Sequence, residues 1–149
     1  VIVMGGPAAI TDAVLTELET EVGIPASSVF RLFGNDRTGT AAATAQFETA
    51  TTANLPGYSC TPSCPVGLGY ETSAVALARG DDSADALSGG PIAGLANEPI
   101  LLSASPTGLG TYTPVYLSDA SYLFNTATIN VFGGPDAIVP ANLTAAAAP

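Results

Sequence analysis

Three groups of side chains in this 149-residue chain have types and spacings that could do chemistry. The first is Arg31, Asp36 and Arg37, which flank the turn at Gly34. Guanidinium forks match carboxylate and phosphate groups, so Arg31 and Arg37 are candidates for holding an anionic group of a ligand. Internal pairing, Arg37 with Asp36 or with an acid of a neighbouring loop, is the competing reading. The second group is Asp81, Asp82 and Asp85. Carboxylates in close order suit Ca²⁺ or Mg²⁺. The same acids suit the first turn of a helix, where they complement its dipole and cap its free N–H groups. The spacing matches no calcium loop, so capping is expected and no cofactor, with Ca²⁺ the weaker alternative. The third group is Cys60-Thr-Pro-Ser-Cys64. A metal would need more ligands than two thiols, and the chain has no His. A local Cys60–Cys64 disulfide is expected, with two free thiols as the alternative. A disulfide would place the protein outside the cytosol.

Other chemistry is excluded or unsupported. Without His, neither Ser–His–Asp nor Cys–His nucleophile systems can be assembled. Gly5-Gly6-Pro7 and Gly133-Gly134-Pro135 follow no phosphate-cradling pattern and read as tight turns. No pair of carboxylates stands out for hydrolysis. The chain is therefore expected not to be an enzyme. Its three arginines face 13 acids, for a net charge of −10, and cannot form the basic stripe that nucleic acid requires. Hydrophobic residues make up 47 % and charged residues 11 %, the reverse of a disordered chain. No uninterrupted apolar run approaches the roughly 18 residues of a membrane span.

The elements that must position these residues alternate between short apolar runs and helical stretches, which points to an α/β domain with a largely parallel sheet. Strands are expected at Val1–Met4, Ser28–Phe33, Ser73–Arg79, Pro99–Ser103 and Ile129–Phe132. A helix from Thr11 to about Val22 should turn Ile10, Val14, Leu18 and Val22 inward. Thr38 or Thr40 should cap an Ala-rich helix ending near Glu48. Pro91 should split the helix after Asp82 into two pieces. A helix is expected to start near Pro114, and another after Pro140. Residues 49–69 read as an inserted loop.

The two ends nearly repeat. Residues 2–18 and 130–146 are identical at 9 of 17 ungapped positions, at a shift of 128 residues. The segments 1–22 and 129–149 thus read as two copies of one strand–turn–helix element in a single domain, 1–149, cut from a tandem array.

Three blocks carry a family resemblance. Arg31-Leu-Phe-Gly-Asn-Asp36-Arg37-Thr-Gly-Thr-Ala41 is one; Thr38 stands where the pattern has Tyr. Ala78-Arg-Gly-Asp-Asp-Ser-Ala-Asp85-Ala-Leu87, followed by Pro99-Ile-Leu-Leu102, is the second. The twice-seen Gly-Gly element is the third. In this order they resemble the type 2 cell-wall-binding repeat of Gram-positive surface proteins. The resemblance implies a three-layer α/β fold of the topoisomerase–primase-like kind, with helices on both faces of the sheet. It implies tandem or trimeric packing of repeats and a place on the cell surface. It also implies non-covalent attachment to an anionic wall polymer, with Arg31 and Arg37 as contacts and Asp36 and Asp85 structural. The alternative is a structural subunit of an extracellular layer or filament, whose partners are neighbouring repeats. A metal-dependent enzyme built on Asp81, Asp82 and Asp85 ranks third.

Overall fold

The computed structural model describes residues 1–50, 67–70, 73–118 and 128–147. Five parallel strands alternate with helices: β1 (Ile2–Met4), α1 (Asp12–Thr20), β2 (Phe30–Leu32), α2 (Arg37–Thr49), β3 (Ala74–Arg79), α3 (Ala84–Ala96), β4 (Ile100–Ser103), α4 (Tyr112–Ser118), β5 (Thr128–Val131) and α5 (Pro140–Ala147). The α/β class and the parallel pairing are as the sequence suggests. The strands nevertheless form two sheets rather than one: β1–β2, and β4–β3–β5.

The larger sheet holds the core. Val75, Leu77 and Leu101 are buried on it, and Ala42 and Ala45 let α2 approach closely. Tyr116 of α4 and Ile138, just before α5, join the same cluster, with the Tyr116 hydroxyl 3.3 Å from that of Thr49 on α2. The Thr113 hydroxyl ties α4 to β4 by donating to the Leu102 carbonyl at 2.6 Å.

Three local expectations are corrected. The cap of α2 is Asp36, whose carboxylate accepts from the Gly39 N–H at 2.8 Å. Thr38 donates to that same carboxylate, and the Thr40 hydroxyl accepts from the Gly34 N–H. Secondly, α3 is continuous through Pro91. Gly89 and Gly90 before it carry no Cβ to crowd the ring, and a Cβ on Gly89 would strike the Phe132 ring. Gly89, expected to help break the helix, is therefore a packing feature. Thirdly, α1 buries none of its residues, and Val14 is 42 % exposed and Val22 64 %. Of the face expected to turn inward, only Ile10 and Leu18 are even half-buried.

Candidate functional site

A cleft of about 730 Å³ lies between the two sheets. The sequence dictates its walls. β1 ends in Met4-Gly5-Gly6, and Gly5 has φ +125°, a conformation that favours glycine. Two residues after β2, Gly34 packs so tightly against the Gly39 backbone that no Cβ fits. The loop Asn35–Arg37 then forms the rim. Small residues of α3 (Ala86, Gly90, Ala93, Gly94) and Ile100 and Leu102 of β4 line the opposite side. Thr40, Thr44 and Glu48 of α2 contribute the polar strip between them. The walls are thus mostly backbone and small apolar groups, with a few polar groups converging, as ligand clefts generally are.

The charges in the cleft are unequal in state. Asp36 is held below the usual carboxylate range by the Gly39 N–H and the Thr38 hydroxyl, with Arg37 adding attraction. Glu48 sits at the inner end of the polar strip, where burial pushes its pKa up to about 7. Glu98 takes both of its short contacts from one amide: Asn130 Nδ2 donates to its two oxygens at 2.8 and 2.7 Å. The Asn35 amide is fixed outward from the rim by donating to the Tyr112 hydroxyl at 2.8 Å.

The arginines have separate environments. The Arg31 side chain is 11 % exposed; it donates to Asp12 Oδ1 at 2.9 Å and to the Ile10 carbonyl at 2.8 Å. Its fork is thus already occupied by the start of α1. Arg79 grips Asp81 with two nitrogens, the longer contact being 3.0 Å, and this holds the Asp81 carboxyl low. Arg37 is exposed on the cleft rim and, among the described residues, has neither a hydrogen bond nor an ion pair.

Asp81, Asp82 and Asp85 do not converge. Asp81 faces Arg79, Asp82 accepts from the Ala84 N–H at 3.2 Å, and the Asp85 carboxylate packs against Gly133. Among the described residues no group of three or more acids, His or Cys is close enough together to hold a metal. Cys60 and Cys64 lie outside the described residues, as does most of the 49–69 loop. No helix of the described residues is long and apolar enough to cross a membrane.

Glu48, Glu98 and Tyr70 line the cleft but were not singled out from the sequence. Glu48 closes an Ala-rich helix with nothing in the sequence to mark it, and nothing in the chain order places Glu98 on the same cleft. Only the placement of α2 and β4 does so.

Comparison with known proteins fits this architecture. The family model described as "Cell wall binding domain 2 (CWB2)" matches residues 31–143. No curated protein matches the sequence. Among solved structures, Cwp8 from Clostridium difficile superposes with a TM-score of 0.66 at 17 % identity, over 98 % of this chain. The chain spans about a fifth of that protein's length, 21 %.

Proposed function

The chain belongs to the cell wall binding domain 2 family, whose role is attachment to the cell wall at the cell surface, and from that premise we propose that it is a non-catalytic anchoring module whose cleft takes an anionic wall polymer. The observation that carries this reading is Arg37. The other two arginines are occupied by protein acids, whereas Arg37 stands on the rim with its fork unengaged. A polymer's phosphate or carboxylate would bind there by bidentate hydrogen bonds. The flat glycine and alanine walls admit a ring, and Thr40, Thr44 and Glu98 offer partners for its hydroxyls. One cation among several acids makes the interaction weak for a single module, so repetition of the unit would supply the avidity.

Retention on purified cell wall tests this. Arg37→Ala should lower retention about tenfold at low salt, and wild-type retention should fall as salt rises. Arg37 makes no hydrogen bond or ion pair among the described residues, and its attraction to Asp36 acts across solvent, so the thermal midpoint should fall only slightly. Equal retention of wild type and variant would overturn the assignment. A second reading, contacts within an extracellular layer, draws on one feature: Leu87, Ile92 and Leu95 form an exposed apolar stripe along α3. Wild-type protein that leaves the wall at every ionic strength would favour it.

A further inference from the structure

The near-repeat at the two ends has a structural counterpart. The turns are built alike: Ala9 and Ile10 N–H donate to the Gly6 carbonyl, and Ala137 and Ile138 N–H donate to the Gly134 carbonyl. Gly5 and Gly133 both have positive φ, +125° and +106°. Thr16 and Thr144 each donate their hydroxyl four residues back, both at 3.2 Å.

The strands use opposite edges. In a parallel strand, one residue's N–H and C=O point to the same side and alternate residue by residue. In β1, Val1 C=O and Gly5 N–H bond to β2, so Val1, Val3 and Gly5 face it. Their counterparts are Ile129, Val131 and Gly133. In β5, however, Phe132 N–H bonds to Leu77, so Thr128, Asn130 and Phe132 face β3. The edge that β1 uses for β2 is therefore the outer edge of β5, and it has no strand on it among the described residues. The edge that β5 uses for β3 is likewise the outer edge of β1.

Burial divides the same way. Around β1 one side of the strand and the turn are covered: Val3 and Gly5 are buried, and the Phe33 ring lies against Gly6, while Ile2 and Met4 are exposed. The helix α1 buries no residue fully. Around β5 the helical part is covered, with Ile138 and Asn142 buried, and the turn is bare: Gly134 has nothing near it where Gly6 has Phe33. The glycine turn is thus covered only in the first copy, and the helical part is buried only in the second.

We propose that the outer edge of β5 is the seat of β2 from a second copy of this chain, so that one strand of this type serves two units and neighbouring copies share a parallel sheet in the order β4–β3–β5–β2′. The β1–β2 register carries over directly: Asn130 opposite Phe30, Val131 opposite Arg31 and Phe132 opposite Leu32 of the second copy. Phe33 of that copy then covers Gly134, as Phe33 covers Gly6 here. Unpaired strand edges are templates for such pairing. A unit that leaves half its repeat uncovered completes itself by stacking. This inference is independent of wall binding and fails or stands separately from it.

The test compares two proteins by amide hydrogen exchange. One is the 149-residue chain. The other is residues 1–128 followed directly by residues 1–149, in which one junction strand occupies both the β5 position and the β1 position. In the single chain, Gly5 and Phe132 N–H should be protected, and Met4 and Gly133 N–H should exchange freely. In the two-copy protein, Met4 and Gly5 of the junction should both be protected, the Met4 N–H slowing at least about tenfold. Protection of only one of the two would show that the junction strand serves a single neighbour, and would overturn the proposal. A two-copy protein that fails to fold cooperatively would overturn it too, since a shared strand predicts a seamless junction.

Discussion

Residues 2–18 and 130–146 share more than half their sequence and the same turn hydrogen bonds, yet they have different surroundings. The first copy is held by its strand and glycine turn, against β2 and Phe33. The second is held by its strand, against β3, and by its helical end. There Ile138 enters the core, and the Asn142 amide donates to the Pro106 carbonyl at 3.0 Å. The difference separates what local sequence controls from what neighbours control. Gly-Gly-Pro and the residues after it are sufficient for the strand–turn–helix shape. They are not sufficient for burial, which depends on whichever element lies alongside.

The sharpest way to break this comparison is to truncate the equivalent isoleucines. Ile138 is 1 % exposed and part of the core, whereas Ile10, in the same turn, is only half-buried. Ile138→Ala should cost about 3 kcal/mol, as removal of a fully buried branched side chain does. Ile10→Ala should cost less than about 1 kcal/mol. Urea unfolding of the two variants measures both. Equal losses would mean that the two copies are buried alike, and the complementary environments inferred above would collapse.

A second contrast is in pH. The first copy walls the cleft with Met4, Gly5 and Gly6, and Glu48 faces that cleft; the second copy contributes nothing to its lining. Burial raises the Glu48 pKa from 4.5 to about 7, so the folded protein holds a proton there that the unfolded chain releases near 4.5. Its contribution is therefore fully present below about pH 4.5 and is lost as pH rises through 7. The loss should be about 2 kcal/mol, given that the side chain is only partly buried. Unfolding free energies from pH 4.5 to 8 should show this fall in wild type and a flatter profile in Glu48→Gln. Hydrogen exchange should place the loosening at the first glycine turn and leave the second unaffected. An unchanged profile in Glu48→Gln would remove the contrast.

Much of this was legible in the sequence, and the failures have a common cause. All five strands were readable because buried parallel strands are apolar runs bounded by turn residues. The start of α5 at Pro140 was readable because proline suits the first helical turn. The sequence points to Thr38 or Thr40 as the cap of α2 where the fold uses Asp36, because all three are capping types within one turn. Only the geometry shows that the two hydroxyls serve other partners. The inner face of α1 follows from periodicity, but the fold half-buries only Ile10 and Leu18 of it. At the candidate site, Arg31 and Arg37 fall in one motif and are equally attractive as sequence. They differ because β2 points Arg31 at Asp12, 19 residues earlier, a contact that nothing local specifies.

The finest contrast uses the second glycine of each turn. A Cβ on Gly6 would sit 3.0 Å from the Phe33 ring, closer than ordinary contact, whereas a Cβ on Gly134 would meet nothing within 4 Å. Neither position has positive φ, so alanine meets no backbone penalty at either. Gly6→Ala should therefore destabilise by about 1 kcal/mol as the ring is displaced. Gly134→Ala should be neutral or stabilising by up to about 0.5 kcal/mol, because it restricts the unfolded chain. In the two-copy protein the test can be repeated at the junction. The junction turn contains Gly6 of the second copy, with Phe33 of that copy upon it, so alanine there should again destabilise. The C-terminal Gly134, with no further copy to cover it, should tolerate alanine as before. If alanine at Gly6 is as harmless as at Gly134 in the single chain, Phe33 does not pack on the turn. The aromatic cover that is expected to pass from each copy to its neighbour would then have no basis.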